Sequence, residues 1–429
     1  MKVMRKLLMI VVVFAVMSSL QAQSVSYWDG SSASIWTNGT GSKGMPYLIE
    51  SAEHLAYLAQ SVNANTTTHY DSVYFKLTTN INLRGFPWIP IGNDNAKYFS
   101  GYFDGNNYSI DSLHINITAT ATSNCGLFGV LCNARVHDLT LSNVNIAVQT
   151  VSSRIHVGGI AGMVRGNDVI QYCNVTSGSI LAIAGADRKS YAGGIVGFTQ
   201  ITTNSISIAN CTNAVFVTSN YTVGGIIGSL NTTQPYHDTL WITACSNTGS
   251  ILGAPTPTIL YTGGIIGWIN AAKSNTQCYV DKCSNTGSIR DSVNAATNVY
   301  TGGIAGYIQV YDTGATNVNV IVSNSWNSGA IENINTASTV PDQNNWSCTG
   351  GIIGCTGLFG TANVNGFNLH NSGTINFIRH APLVTSAVGG IAGLAFSEKT
   401  GSNVIINQVY NAGTIALLSP DTATKNTCA

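Results

Sequence analysis

Gly158-Gly-Ile-Ala-Gly162 returns as Gly193-Gly-Ile-Val-Gly197, Gly224-Gly-Ile-Ile-Gly228 and Gly263-Gly-Ile-Ile-Gly267. Three more copies start at Gly302, Gly350 and Gly389, and a degenerate one, Cys125-Gly-Leu-Phe-Gly129, precedes them all. The starting points lie 33, 35, 31, 39, 39, 48 and 39 residues apart. Composition alone does not produce seven near-identical pentapeptides in a chain of 429 residues, so the unit of the fold is the interval between them.

A second string fills each interval, with Asn-x-Gly-x-Ile as its kernel. It reads Asn247-Thr-Gly249-Ser-Ile251, Asn285-Thr-Gly287-Ser-Ile289, Asn327-Ser-Gly329-Ala-Ile331, Asn371-Ser-Gly373-Thr-Ile375 and Asn411-Ala-Gly413-Thr-Ile415. Earlier units keep only Gly178-Ser-Ile180, or lose the glycine at Ala214-Val215. Between the strings the residues alternate, as in Ser205-Ile-Ser-Ile208 and Val318-Asn-Val-Ile-Val322. Each unit thus offers three short strand candidates and no helical period. Two-residue hairpin turns are missing, which argues against a sandwich. The expected fold is all-β: a right-handed parallel β-helix of three-strand coils, about eight in number. Equivalent residues of successive coils then stack at the strand spacing of roughly 4.8 Å. The kernel asparagines form an amide ladder in that arrangement, and the kernel glycine is expected to supply a positive φ.

These strings resemble the GLUG-motif repeat of bacterial surface and secreted proteins. The N-terminal segments Trp28-Asp29-Gly30, Gly44-Met-Pro46-Tyr47-Leu-Ile49 and Gly101-Tyr-Phe103-Asp104-Gly105 are similar to those that precede such repeats in Bacteroidetes. The resemblance covers nearly all of the chain after residue 22. It implies a secreted or cell-surface β-solenoid but no particular activity. Some IgA-cleaving metallopeptidases carry the repeat outside their catalytic domain.

The segments divide as 1–22, a signal peptide; 23–66, an N-terminal segment with a capping helix; 67–124, the first β-helix coils; 125–418, the GLUG-type repeats; and 419–429, a tail. Lys2, Arg5 and Lys6 followed by the apolar run Leu7–Val16 read as a cleaved export signal, and the run is too short to span a bilayer. No later stretch reaches 18 apolar residues, so no transmembrane segment is expected after cleavage. In Glu50–Val62, Leu55, Leu58, Ala59 and Val62 share one face, with Glu50 and Glu53 at the N-terminus, which predicts a short helix covering the first sheet edge. Removing the signal leaves 15 Lys+Arg against 18 Asp+Glu, a net −3 with no basic stripe, and that excludes nucleic acid as a partner. Only 8% of residues are charged, against roughly 25% in an average globular protein.

Chemistry is sparse. No pair of His four apart flanks a Glu, and no GxSxG or P-loop string occurs, so metallopeptidase, serine-hydrolase and nucleotide readings lack their residues. No catalytic or metal-binding residue and no cofactor are expected. The rival reading is a β-helical polysaccharide lyase or hydrolase using Asp104, Asp111 and His137, with Asp138 beside them. Aligning Asp111-Ser-Leu113 with His137-Asp-Leu139 stacks Asp111 on His137; the bland alternative is a turn at Asp104 and a surface ion pair.

Of the ten cysteines, Cys211, Cys245 and Cys283 share one slot that later units fill with Ser325, Leu369 and Val409. That points to an inward thiol, or else to a disulfide between stacked neighbours. Cys125/Cys132 and Cys348/Cys355 each flank a glycine string. The residue after each string reads Met163, Phe198, Ser229, Trp268, Tyr307, Cys355 and Leu394. Apolar residues there and at the isoleucine three places earlier imply a sheet covered on both sides. The cover is expected to be the chain's own loops, such as Asn333–Trp346, or else a ligand. Phe198, Trp268 and Tyr307 are then the candidate binding strip. Asp followed by Ser/Thr and an apolar residue, at Asp71, Asp111, Asp238, Asp291 and Asp421, matches a short O-glycosylation pattern of Bacteroidetes. The functional expectation is a binding or adhesion rod for a host glycan or an extracellular protein, with a passive spacer as a further alternative. The sequence sets no oligomeric state.

Overall fold

The computed structural model describes residues 24–30, 33–64, 66–186, 188–201, 205–232, 239–255, 259–293, 298–335, 346–379 and 385–418. The expected signal (1–22) and tail (419–429) lie outside them, as do Asp238 and Asp421. The chain winds into a right-handed parallel β-helix in which strands of successive coils pair in parallel. Each glycine-marked coil crosses four sheets rather than three. In one coil, Val169–Val175 joins sheet 1, Gly178–Ala184 sheet 2, Ser190–Gly193 sheet 3 and Val196–Ile201 sheet 4. The extra strand arises because the Gly-Gly-Ile string is a corner with a strand on either side. Sheets 3 and 4 each contain eight strands, one per corner from Cys125 onward.

The corner and the kernel fit each other physically. Asn247 Nδ2 donates to Asn285 Oδ1 at 2.7 Å, Asn285 to Asn327 at 2.7 Å, Asn327 to Asn371 at 2.9 Å and Asn371 to Asn411 at 2.7 Å. The ladder is fully buried through Asn371. The second corner glycine makes room for it: a Cβ on Gly225 would sit 2.4 Å from Asn247 Cγ, and one on Gly264 2.6 Å from Asn285 Cγ. The kernel glycine meets the expected positive φ only at Gly178, at 116°; Gly249, Gly287, Gly329, Gly373 and Gly413 do not have it. They are glycines because coils approach too closely there; a Cβ on Gly287 would lie 2.0 Å from the carbonyl oxygen of Gly249.

Sheet 1 has a regular defect. Tyr172, Asn210, Ala244, Lys282, Asn324, Asn368 and Gln408 all sit at φ between 49° and 54°, or 55° for Lys282. In five of these coils the residue after the left-handed kink, a Cys or Ser, donates to the carbonyl before it; Leu369 and Val409 in the last two cannot. Cys211 Sγ donates to Ala209 O at 3.3 Å and Cys283 Sγ to Asp281 O at 3.5 Å, while Ser325 Oγ donates to Ser323 O at 2.7 Å. The shared slot is thus inward, and the nine described cysteines are free thiols. Burial pushes the Cys278 thiol up to about 12, which removes it from nucleophilic chemistry.

The two ends differ. Helix α1, Ala52–Ala64, buries Leu55, Leu58, Ala59 and Val62 against the first coils, starting two residues later than the pattern suggested. Ser51 caps it by accepting from His54 N at 3.3 Å, and His54 Nδ1 accepts from Glu50 N in return at 3.2 Å. At the other end the inner side chains of the last described coil, among them Val404, Ile415 and Leu417, are only half-buried. Among the described residues no helix is long and apolar enough to cross a membrane.

Candidate binding surface

Two aromatic rows run along the rod, and they have opposite environments. The first contains Phe198, Trp268 and Tyr307. Sheets 3 and 4 fold back on each other at the corner, and the last glycine of each string allows it: a Cβ on Gly306 would meet Thr262 O at 2.6 Å. The outer sides of the two sheets therefore close a second apolar seam. Trp268 stacks on Tyr261 at 5.0 Å, Tyr307 on Tyr300 at 4.5 Å, and Phe198 meets Tyr191 at 4.8 Å. Phe198 keeps 8% of its surface and Tyr307 3%. Burial drives the Tyr307 phenol well above its ordinary range. Of the strip expected to meet a ligand, Phe198 and Tyr307 are internal packing and Trp268 lies half-buried against the same seam. Its cover is the strand just before each corner; of the Asn333–Trp346 loop, 336–345 lie outside the described residues. The tyrosines two places ahead of the glycine string, Tyr191, Tyr261 and Tyr300, were the signal for this pairing.

The second row lies on the outer face of sheet 1. The register runs Tyr74, Tyr102, Arg135, Val169, Ser207, Trp241, Tyr279, Ile321, Asn365 and Ile405. Trp241 and Tyr279 stack at 4.1 Å with 8° between their planes, yet Trp241 remains 43% exposed. One coil below Trp241 stands Ser207, too short to cover the other ring face. Amides flank the stack: Asn319 Nδ2 donates to Gln277 Oε1 at 3.0 Å and Asn363 Nδ2 to Asn319 Oδ1 at 3.2 Å. On its other side Asp281 accepts from Ser323 and Asn324, both at 2.7 Å, which holds its carboxyl below the usual range despite partial burial. Trp326, 40% exposed, and a stacked His370–Tyr410 pair continue the aromatic surface on a parallel column.

The expected carboxylate–histidine cluster is only partly assembled. Asp104 lies between Lys76 Nζ, at 3.1 Å, and His137 Nδ1, at 3.6 Å, and His137 bonds Asp138 at 2.8 Å. Asp104 Oδ1 also accepts from Asn106 N at 2.7 Å, which closes a turn. Asp111 does not join them. Its register partner is Ser142, because His137 pairs with Asp104 one segment earlier along the strand. Asp111 instead accepts from Ser112, Ser142, Asn143 and Asn82, and the bonds from the first three hold its carboxyl low. Asp104, His137 and Asp138 bring three possible ligand atoms within 4.8 Å of one another, but the Lys76 ammonium already supplies the positive charge there.

Two carboxyls are fully interior. Asp291 accepts from Thr262 at 2.7 Å and from Thr301, and burial pushes it up to about 6. Asp168 accepts from Ala134 N at 2.6 Å, has no partner for its second oxygen, and is pushed by burial to about 8. Near the helical end, a cleft of about 670 Å³ lies between α1 (Ala56, Gln60, Asn63) and Trp28, Trp88 and Ile89. Both tryptophans are packed edge to face at 5.7 Å and expose little surface to it.

No family model matches the chain. It is similar to a protein called "Putative Gly-rich membrane protein" from Evansella cellulosilytica, 36% identical over 135 residues, which are 30% of this chain and 14% of that protein. It is also similar to Halomucin from Haloquadratum walsbyi, 32% identical over 171 residues, which are 37% of this chain and 2% of the other. The chain thus spans about a seventh or less of the length of these relatives. A crystal structure titled a putative immunoglobulin A1 protease from Bacteroides ovatus superposes with a TM-score of 0.46 and 17% identity, covering 84% of this chain and 86% of that one. The fold of the chain is a parallel β-solenoid.

Proposed function

We propose that this is an exported, non-catalytic binding rod that uses the outer face of sheet 1 to hold a glycan at the cell surface. The observation that carries the reading is the Trp241–Tyr279 stack, which keeps a large aromatic surface in water. Exposed apolar surface of this kind marks interaction sites. Amide ladders, hydroxyls and the Asp281 carboxylate around it offer the donors and acceptors that sugar hydroxyls need, and the ring supplies a stacking platform. The export signal, the GLUG-type strings and the surface or membrane names of the two relatives support a location outside the cell. Catalysis at Asp104 and His137 is disfavoured because Asp111 is engaged elsewhere and Lys76 neutralises Asp104.

The test is a glycan array probed with residues 23–429 beside a Trp241→Ala/Tyr279→Ala variant. Binding that vanishes in the variant, with an unchanged circular-dichroism spectrum, supports the reading. Equal binding by both proteins removes the site from sheet 1, and no binding by either leaves a spacer as the better account.

A further inference from the structure

We propose that the cavity beside Tyr74 and Tyr102, whose rings stack at 4.2 Å, is a subsite for one acidic sugar residue, with Arg135 reading its carboxylate. This deepens the glycan reading above and rests on it. The cavity measures about 270 Å³, is mostly polar, and is lined by Asp71, Ser72, Ser100, Asn133, Arg135 and Asn167, with Tyr102 at its side. That volume suits a single pyranose ring and is at the small end of ligand pockets.

Three features point to a carboxylated, hydroxyl-rich ligand. First, the Arg135 guanidinium lies 5.6 Å from the Tyr102 ring centre, which holds it in place, yet it belongs to no ion pair among the described residues. A planar fork of donors fixed by an aromatic face and lacking an anion is the arrangement that takes a carboxylate in two parallel bonds. Second, Asp71 lines the same cavity and is not paired with Arg135. Its oxygens are thus left to accept from ligand hydroxyls. Third, Ser100 lines the same cavity and offers a hydroxyl to a ligand there. The backbone around the cavity is already committed: Asn133 Oδ1 accepts from Asn167 N at 2.9 Å while its Nδ2 donates to Cys132 Sγ at 3.7 Å, and Asn167 Oδ1 accepts from Ser205 N at 2.9 Å, which leaves one Asn133 amide hydrogen and the Asn167 NH₂ as donors.

The subsite also sits in line with the stacking platform. Tyr102 and Trp241 are four coils apart in one column, roughly 19 Å at the strand spacing. A linear oligosaccharide laid along the rod spans that distance with its acidic residue in the cavity and a sugar face on Trp241.

The experiment is titration calorimetry of residues 23–429 with oligogalacturonate, a hyaluronan oligosaccharide and sialyllactose, each beside its carboxyl-methylated ester. At least one acid probe is expected to bind, with a loss of at least about tenfold on esterification and in Arg135→Gln, and a smaller loss in Arg135→Lys. Asp71→Asn should weaken the same probe, whereas its melting temperature stays at the parent value. Equal affinity for acid and ester, or full affinity in Arg135→Gln, overturns the assignment. So does binding by none of the acids; if the array still reports a neutral glycan lost in the Trp241→Ala/Tyr279→Ala variant, the cavity fails alone and the platform stands.

Discussion

The two aromatic rows are built from similar residues at the same coil spacing, and one is core while the other is surface. In the seam, Phe198, Trp268 and Tyr307 of sheet 4 each find a tyrosine of sheet 3 because glycine lets the two strands fold together. On sheet 1 nothing in the coil folds back, so Trp241 has only its axial neighbour Tyr279. Stacking along the axis covers one ring face; only a second sheet covers the rest. Whether an aromatic in a solenoid serves stability or recognition is thus decided by what stands opposite its strand, not by its place in the repeat.

That contrast fails if the seam can be emptied cheaply. Trp268→Ala or Tyr307→Ala should lower the unfolding free energy by about 3–5 kcal/mol, as large aromatic truncations in cores do, with the shift read in a denaturant titration. Trp241→Ala should cost under about 1 kcal/mol and affect binding instead. An equal cost at the two rows would mean that the fold-back adds nothing.

A sharper version uses the interior carboxyls against the exterior ones. Asp291 and Asp168 titrate higher in the fold, at about 6 and about 8, than the ordinary 3.8. Their contribution to stability is therefore full below pH 4 and is lost as pH rises through those values. Asp111 and Asp281, held low, act in the opposite direction and lose theirs as pH falls below the ordinary carboxyl range. Denaturation midpoints should then be higher at pH 5 than at pH 8. Asp291→Asn should remove about 1.4 kcal/mol of the difference, since only the one pH unit between 5 and its folded value of about 6 lies in that window, at ~1.4 kcal/mol for each unit. A midpoint that is flat from pH 5 to 8 would contradict the burial of both groups. The smallest expected effect is at the surface pair: Lys76→Met should change stability by no more than about 1 kcal/mol, in a thermal melt at two salt concentrations.

Much of this was legible in the letters. The eight corners, the amide ladder and the helix face at Leu55, Leu58 and Val62 follow from periodicity, because stacking forces equal residues into equal places. Past Gly178, the kernel glycine was read for the wrong reason: its spacing is visible in sequence, but the 2.0 Å approach of Gly249 O to a Cβ on Gly287 belongs to two coils at once. Asp111 was placed on the wrong partner because strand register between the first coils is not marked by a repeat string. The outer row was overlooked although the alternation in Thr239-Leu-Trp241-Ile242 and Gln277-Cys-Tyr279-Val280 puts each ring opposite its buried neighbours. The fold-back that hides Tyr307 has no sequence signature apart from paired aromatics around each corner.

The amide ladder has a direction. Every Nδ2 from Asn213 to Asn371 points toward the next coil and every Oδ1 from Asn247 to Asn411 faces the previous one, so the carboxamide dipoles line up head to tail. Such a file behaves like a one-way street: its bonds polarise one another in the same sense, and among the described residues its last member, Asn411, has one amide hydrogen on Gly413 O and the other facing onward. A coil can extend the file only by presenting an acceptor in the same orientation, so a coil laid on backwards meets donor with donor. The rod therefore has a built-in arrow, written in its side chains as well as in its backbone.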